Sequence, residues 1–155
     1  MSRPARATDL SGQGAAICGG RWNHVNVPAL YTGKTPSVCA LETLVHTTSS
    51  LPDPVPLVLI TLDLPDDPEL YMEYQSSGLP DGWNALPADE ASKSLGTEFL
   101  NKKAKLGLVV PSAVMPLDQN IILNPRHSAM DKVTIVEQHE YQHDPRLFSL
   151  LAIRK

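Results

Sequence analysis

Residues 106–137, LGLVVPSAVMPLDQNIILNPRHSAMDKVTIVE, decide the fold class of this chain. Apolar and β-branched residues dominate three parts of the stretch, and prolines or polar residues separate them. These parts predict strands at 106–115, 120–123 and 132–137. Two earlier stretches also predict strands: VPALY at 27–31, and VPLVLITLDL at 55–64, which is apolar enough for a largely buried strand.

Helices are fewer than strands. Thr35 can cap a helix and Pro36 suits a first helical turn, so together they predict a helix that ends near His46. Its apolar stripe, which is expected to face the core, consists of Val38, Leu41, Leu44 and Val45. Residues 89–105 predict a second, amphipathic helix that is weakened at Gly96.

Loops connect these elements. The glycine-rich stretch at 11–20 predicts an irregular loop, and residues 66–88 are expected to be mainly loop, with a turn at 79–83. Residues 144–148 predict a last turn, and the apolar tail at 147–153 is expected to join the core. Because strands cluster late and helices are few, we expect one compact α+β domain over all 155 residues.

The composition argues against several classes of protein. A net charge of −4 disfavours a general nucleic-acid surface, which is normally basic. The sequence has no apolar stretch long enough to span a bilayer, and its first residues lack the apolar centre of a signal peptide. Cys18 and Cys39 lack a CxxC spacing, which favours free thiols in a reducing compartment but leaves a disulfide open. We therefore expect a cytoplasmic protein without a direct nucleic-acid or membrane partner.

Five short segments concentrate residue types that bind or react. Arg21 follows two glycines and can form two hydrogen bonds to a phosphate or a carboxylate. Tyr31 ends a predicted strand, while Glu42 and His46 share one face of the predicted helix. Two further candidates lie in or at the end of predicted strands: Ser112 and Asn124. Each also has a structural interpretation, such as a surface ion pair, a packed ring or a turn hydrogen bond, so none is specific alone.

The order of six motifs is more specific than any one of them. GGRWN, LYTG, ALETLVH, VPSAVMP, ILNPRH and HDPRLF follow one another along the chain. Together they resemble the RES domain family over residues 3–148. The resemblance implies an ADP-ribosyltransferase-like fold with a split, mostly antiparallel sheet. It also implies the toxin of a bacterial toxin–antitoxin pair, which cleaves the nicotinamide–ribose bond of its substrate NAD and needs no metal ion.

The resemblance also implies roles for particular residues. It gives a catalytic group of Arg21, Tyr31 and Glu42, with Ser112 as a further site residue. It gives a wider set of NAD contacts that adds Trp22, Asn23, His46 and Asn124, although a tryptophan is more often packed in a core. Arg3 corresponds to an arginine in a first strand for which this chain has almost no room. The implied partner is an Xre-type helix-turn-helix antitoxin, and a homodimer within that complex is left open.

The chemistry of NAD cleavage suits these residue types. The bond breaks through an oxocarbenium-like state, and nicotinamide leaves as a neutral molecule. Glu42 can supply the negative charge needed near the ribose by holding a ribose hydroxyl. Arg21 can bind the diphosphate, Tyr31 can stack or donate a hydrogen bond, and Ser112 can orient the ribose or the nicotinamide amide. The acceptor stays open: water gives a glycohydrolase, phosphate a phosphorylase, and a protein side chain an ADP-ribosyltransferase.

Three alternatives are weaker. The pattern H-E-x-x-H at 139–143 matches a zinc protease with His139 and His143 as ligands, but the preceding residues alternate like a strand. Cys39 and His46 would lie about 10 Å apart along a helix, which is too far for direct proton transfer. A binding protein without activity is the third alternative, and the retained cation, phenol and carboxylate disfavour it.

Overall fold

The late apolar stretch forms the centre of the main sheet. In a computed structural model, which describes residues 1–47 and 56–147, two neighbouring antiparallel strands come from it. The strands are β1 (Leu30–Gly33), β2 (Leu57–Asp63), β3 (Tyr71–Glu73), β4 (Gly107–Pro111), β5 (Gln119–Leu123) and β6 (Thr134–Tyr141). The α-helices are α1 (Gln13–Cys18), α2 (Pro36–Thr47) and α3 (Glu90–Lys102). Short 3-10 helices lie at Pro4–Arg6, Pro68–Leu70, Ser76–Gly78 and Ser128–Lys132.

These strands form a split sheet. The larger part has the order β1–β5–β4–β3, and its pairs are antiparallel except for the parallel pair of β3 with β4. Strands β2 and β6 form a separate antiparallel pair. The expected α+β class with a split, mostly antiparallel sheet is therefore confirmed. Near Arg3, where the resemblance implies a first strand, one bridge between Ser2 and Val58 extends the smaller sheet.

The larger sheet separates two apolar clusters. Strand β4 is buried along its whole length because it lies inside the sheet and both of its faces are covered. One face meets the cluster of Trp22, Ala29, Leu79, Trp83, Phe99, Leu100, Leu108, Val110 and Ile122. The other face meets the cluster of Leu106, Leu123, Ala129 and Val133, against which Leu62 and Leu64 pack. We call these the α3 face and the β2 face of the sheet.

Helix α3 approaches the backbone that precedes β1. The helix predicted at 89–105 is confirmed, and it begins after Asp89, whose side chain accepts a hydrogen bond from the Glu90 N–H. Gly96 is buried against Trp22, and an added Cβ at this position would overlap the Trp22 carbonyl. The glycine that weakens the helix as a local structure is therefore the residue that allows the close contact.

The loop predicted at 11–20 is wrong in its middle, where the chain forms α1. The helix begins after Gly12 and ends at Gly19, and both glycines have positive φ angles, 69° and 70°. Glycine adopts such angles without the steric cost of a Cβ. The two residues therefore bound a short helix rather than extend an irregular loop.

Two predictions around the edge strands also need correction. The strand predicted at 27–31 begins only at Leu30, where pairing with β5 starts, because Pro28 has no N–H to donate to a ladder. Residues 66–88 were expected to be mainly loop, yet they contain β3. This strand has three residues and pairs through its backbone with β4, so it leaves little periodic signal in the sequence.

Helix α2 begins as predicted but faces the core differently. The Thr35 hydroxyl accepts a hydrogen bond from the Val38 N–H, 3.2 Å away, as expected of a cap. Val38 is fully buried beside Gly33, where an added Cβ would lie 2.5 Å from its methyl carbon. The predicted core stripe is wrong at Val45, which is 44% exposed, while Leu41 and Leu44 are half-buried.

The remaining predicted elements lie close to their expected positions. Strand β2 falls within the predicted range 55–64, whose first residue lies outside the described chain, and β6 runs further than the predicted 132–137. The turn at 79–83 is confirmed by a hydrogen bond from the Trp83 N–H to the Pro80 carbonyl, 3.1 Å away.

Features towards the end of the chain are only partly described. The last predicted turn contains a hydrogen bond from the Leu147 N–H to the Asp144 carbonyl, 3.0 Å away. The apolar tail beyond Leu147 lies outside the described residues. Cys18 is exposed, Cys39 is half-buried, and both are free thiols. Within 1–47 and 56–147, every helix is too short or too polar to cross a membrane.

Replacing Gly96 with alanine tests the contact between α3 and the Trp22 backbone. We expect Gly96→Ala to lower the free energy of unfolding by about 1–3 kcal/mol, because the added methyl group has no room. Gly14→Ala is a matched control in α1, since its added Cβ would lie 3.3 Å from the movable end of Arg6. It should be neutral or stabilising by up to about 1 kcal/mol. Urea unfolding measures both, and equal effects would contradict the packing described.

Candidate active site

The loop at 19–23 takes its shape from a buried asparagine. Asn23 is fully buried, and its Nδ2 donates to the carbonyls of Ala15 at 2.9 Å, His24 at 3.1 Å and Val27 at 2.9 Å. A single side-chain amide thus holds the end of α1 and both sides of the following turn. The sequence predicts a contact between Asn23 and NAD, whereas the structure places the amide inside the loop that carries Arg21. The NAD contact stays a prediction.

The Tyr31 hydroxyl fastens the same loop to β1. It donates to the Asn23 Oδ1 at 2.7 Å and accepts from the Trp22 N–H at 2.9 Å. Gly20 makes room for it, since an added Cβ would lie 2.5 Å from the phenolic oxygen. The glycine pair, interpreted from sequence as a place for close ligand approach, here allows the close approach of Tyr31. Tyr31 remains 37% exposed, so its ring is open to solvent while its hydroxyl is engaged.

The environment of the Tyr31 phenol favours its neutral form. Burial raises the pKa of this hydroxyl well above its ordinary value of 10.0. The Trp22 N–H and the positive charge of Arg21 act in the opposite direction and are weaker. Tyr31 is therefore a protonated phenol at neutral pH.

Arg21 connects the loop to the segment that follows the 79–83 turn. Its Nη1 donates to the carbonyls of Trp83 at 2.9 Å and Ala85 at 3.0 Å. The neighbouring Trp22 stacks on Trp83, with ring centroids 6.2 Å apart and an angle of 23° between the planes. The guanidinium is half-buried, and its Nη2 and Nε make no hydrogen bond with the described residues. Arg21 thus keeps donors for a ligand while one nitrogen fixes its position.

Glu42 is held by two donors, Ser112 directly after β4 and Asn120 on β5. Its Oε1 accepts from the Ser112 hydroxyl at 2.8 Å and from the Asn120 Nδ2 at 2.7 Å. The carboxylate is half-buried, and its Oε2 makes no hydrogen bond with the described residues. Both donors are neutral, so they fix the side chain without cancelling its negative charge. The arrangement leaves one carboxylate oxygen for a ligand.

Strand register brings Glu42 and Tyr31 to one side of the sheet. Tyr31 lies opposite Ile122, and Gly33 lies opposite Asn120. Directly opposed side chains share a face, and residues two apart on one strand also share it. Asn120 and Tyr31 are therefore diagonal neighbours on the α3 face, and Glu42 is bonded to Asn120. The structure thus places Arg21, Tyr31 and Glu42, which come from a loop, a strand and a helix, on the same face.

Other candidate residues lie in the interior or further away. Ser112 is fully buried, and besides donating to Glu42 its hydroxyl accepts from two backbone N–H groups of the following turn. Asn124 is fully buried and donates to the Leu100 carbonyl at 2.9 Å. Trp22 is only 2% exposed and belongs to the core, as tryptophans usually do. His46 and Arg3 are exposed. The NAD contacts of these residues stay predictions.

A cavity lies on the opposite, β2 face of the sheet. It has a volume of about 370 Å³, and Leu30, Thr32 and Ile121 of the larger sheet line it together with Leu59 and Leu62 of β2. Tyr31 also lines this cavity, because it belongs to β1, the strand that separates the two faces. Arg21, Glu42 and Ser112 do not line it. The cavity is therefore distinct from the surface on which the carboxylate and the guanidinium lie.

The zinc-protease pattern falls on a strand. β6 includes His139, which lies opposite Leu59, and Glu140, which lies opposite Val58, so the two side chains point to opposite faces. His143 follows the strand and lies against the Tyr141 ring. The helical arrangement that this motif requires is thus contradicted. The described residues also contain no group of three or more His, Cys, Asp or Glu side chains placed to hold a metal ion.

Sequence reasoning missed Asn120. The residue was included in a predicted strand, but its amide was given no role. The available signal was a polar side chain two residues before Ile122 in an otherwise apolar strand, since these two positions share a face. A polar group on the covered face of a strand needs a partner, and here the partner is Glu42.

Comparisons with known proteins identify the family of this chain. The family model described as RES domain matches residues 2–144. This chain belongs to the RES domain family. A protein named Prs ADP-ribosylating toxin, from Sphingobium sp. (strain YBL2), is 35% identical over 94% of this chain and 91% of its own length. A protein named Toxin Res, from Yersinia enterocolitica, is 35% identical over 91% of each chain.

Further RES-family relatives and one solved structure are similar over most of the chain. A second protein named Toxin Res, from Pseudomonas putida, is 36% identical over 90% of this chain and 93% of its own length. One structural neighbour is a chain in the crystal structure of the M. tuberculosis MbcT–MbcA toxin–antitoxin complex. It has a TM-score of 0.64 and 18% identity, over 94% of this chain and 82% of that chain. At that identity the likeness concerns the fold.

The buried hydroxyl of Tyr31 predicts a loss of stability at alkaline pH. Because the folded state raises the pKa of Tyr31, the unfolded chain releases this proton first as the pH rises through 10.0. The stabilising contribution is therefore complete below that pH and decreases above it. We expect Tyr31→Phe to be about 1–3 kcal/mol less stable at pH 8 and to lose less stability between pH 8 and pH 11.

Urea unfolding across this pH range measures both effects. Tyr74→Phe is the control, because the Tyr74 hydroxyl makes no hydrogen bond with the described residues. It should retain the alkaline decline of the wild-type chain. An equal decline in wild type and Tyr31→Phe would mean that the phenol is not enclosed as described.

Proposed function

We propose that this RES-family chain is a toxin that breaks the nicotinamide–ribose bond of NAD. The observation that carries the proposal is the geometry of Glu42, whose Oε1 is held by Ser112 and Asn120 while its Oε2 makes no hydrogen bond with the described residues. Such a carboxylate presents negative charge from a fixed position. Relatives named Toxin Res and Prs ADP-ribosylating toxin, at 35% identity, support the proposed toxin role.

The free carboxylate oxygen suits the charge that develops during cleavage. The bond between ribose C1′ and the nicotinamide nitrogen breaks, and both electrons leave with nicotinamide, which becomes neutral. Positive charge then develops on the ribose. Glu42 Oε2 stabilises it by accepting a hydrogen bond from a ribose hydroxyl. A nucleophile then bonds to C1′ and releases its proton to solvent. If the nucleophile is water, the product is ADP-ribose, and if it is phosphate, the product is ADP-ribose that carries the phosphate on C1′.

Arg21 and Tyr31 supply the other contacts that the dinucleotide needs. The Nη2 and Nε groups of Arg21, which the protein leaves unbonded among the described residues, donate to the diphosphate. The Tyr31 hydroxyl is already engaged, so its exposed ring provides a stacking surface for nicotinamide or ribose. In this proposal Tyr31 binds through its ring and not through a new hydrogen bond.

A second candidate function differs only in the acceptor. The Sphingobium relative is named an ADP-ribosylating toxin and covers 94% of this chain. If a protein side chain replaces water, the same cleavage of NAD transfers ADP-ribose to that protein. Glu42, Arg21 and Tyr31 would keep their roles, because bond breaking at C1′ is common to both reactions.

We further propose that an antitoxin covers this face of the chain. The structural neighbour comes from a toxin–antitoxin complex, and the sequence resemblance implies an Xre-type helix-turn-helix protein. Two exposed leucines lie close in sequence to site residues and suit an apolar contact. Leu86, 87% exposed, follows the Ala85 carbonyl that binds Arg21, and Leu117, 97% exposed, lies in the connection that begins at Ser112. A partner resting on both would exclude NAD.

Release of nicotinamide from NAD tests the proposed reaction. The purified wild-type chain should release nicotinamide, and Glu42→Gln should lower the rate by about 100- to 1,000-fold because the negative charge is lost. The glutamine oxygen can still accept from Ser112 and Asn120, so circular dichroism and urea unfolding should change little.

The control replaces an exposed carboxylate on α3. Glu98→Gln removes an ion pair with Lys102 and should leave nicotinamide release unchanged. Repeating the assay with phosphate, and with a bacterial protein extract plus labelled NAD, distinguishes the three acceptors. A wild-type chain that releases no nicotinamide under all three conditions would exclude the proposed function.

A further inference from the structure

We propose that Asn120 is a positioning residue, which selects the carboxylate oxygen of Glu42 that meets the substrate. This inference rests on the proposed cleavage of NAD and adds a residue to it. The Asn120 Nδ2 lies 2.7 Å from Glu42 Oε1, and the Ser112 hydroxyl lies 2.8 Å from the same oxygen. Because both donors converge on Oε1, the other oxygen is the one left to a ribose hydroxyl.

The surroundings of Asn120 keep its amide in place. The residue belongs to β5, between β1 and β4, where it lies opposite Gly33 on one side and Val110 on the other. An added Cβ at Gly33 would lie 3.4 Å from the Asn120 Oδ1, an ordinary van der Waals distance, so the two positions are close neighbours. The half-buried amide therefore lies among strand neighbours, and its hydrogen bond to Glu42 further restricts its rotamers.

The helix that carries Glu42 is tied to the same pair of strands at a second point. The Thr35 hydroxyl, at the start of α2, donates to the Asp118 carboxylate at 2.5 Å. Asp118 precedes β5 by one residue, and its carbonyl accepts from the Ser112 N–H at 2.9 Å. Thr35 thus fixes the position at which α2 begins. One to two turns later along the helix, Asn120 and Ser112 fix the position of the Glu42 carboxylate.

Ser112 and Asn120 both bind the Glu42 carboxylate but differ in their other hydrogen bonds. The Ser112 hydroxyl also accepts from the N–H groups of Val114 and Met115, so it is committed to the turn as well as to Glu42. The Asn120 amide has Glu42 as its hydrogen-bond acceptor among the described residues. Replacing Asn120 therefore changes the carboxylate and leaves the turn bonded, which makes it the better probe.

Three variants test the inference. Asn120→Ala should lower kcat for nicotinamide release by about 10- to 100-fold, with little change in the KM for NAD, because a charge-assisted hydrogen bond is lost without loss of a substrate contact. Gln119→Ala is the matched control: it is the adjacent residue, and its amide binds the carboxylate of Glu73 at 2.8 Å rather than that of Glu42. It should keep the wild-type kcat.

The pH dependence of the activity of Asn120→Asp distinguishes a positioning role from a purely structural one. It has nearly the same shape but puts a second carboxyl group against Glu42. Two adjacent carboxyl groups titrate as a pair, and the singly ionised pair retains both a donor and a free carboxylate oxygen. The variant should therefore gain activity relative to Asn120→Ala at acidic pH and lose it as the pH rises through the second ionisation.

The outcomes separate the inference from the proposed function. If wild type releases nicotinamide while folded Asn120→Ala matches Gln119→Ala, or if the Asn120→Asp profile parallels that of wild type, the positioning role is wrong and the proposed function stands. If wild type releases none, both are wrong. A reduced kcat in Asn120→Ala together with the new alkaline decline in Asn120→Asp establishes the role, including when the alanine variant is less stable.

Discussion

The register of β1 on β5 is the constraint on which the site depends. It sets Tyr31 opposite Ile122 and Gly33 opposite Asn120, so a phenol and an amide point to the same face of the sheet. The phenol then holds the loop that carries Arg21, and the amide holds the carboxylate of Glu42. A slip of β1 by one residue would turn Tyr31 to the β2 face while Asn120 stayed on the α3 face, and the phenol would be separated from the carboxylate.

The site keeps its opposite charges apart and binds each with neutral groups. Arg21 is fixed by two backbone carbonyls, and Glu42 by a hydroxyl and an amide. An ion pair between them would satisfy both charged groups and leave neither of them available to a substrate. With neutral partners, each keeps a free hydrogen-bonding edge, which is what the proposed cleavage of NAD requires, with an anionic diphosphate at one end and a developing cation at the other.

The sequence was sufficient for most strands, for the start of α2 and for the family, while the roles of Arg21, Tyr31 and Glu42 stay predictions. Thr35-Pro36 and the apolar runs are local signals, and the motif order identified the family. The roles of single residues were less accessible, because they depend on contacts distant in sequence. Gly96 and Gly20 looked like flexible points, yet each makes room for a particular group, the Trp22 carbonyl or the Tyr31 hydroxyl. Asn120 gained its importance only from the position of Glu42, 78 residues earlier.

A structure of Glu42→Gln with NAD bound tests the central claim most directly, since this variant should bind the dinucleotide and cleave it only slowly. The account predicts NAD on the α3 face, with a ribose hydroxyl within hydrogen-bond distance of the side chain at position 42 and the diphosphate on Arg21. NAD bound in the 370 Å³ cavity on the β2 face, away from both residues, would contradict the account.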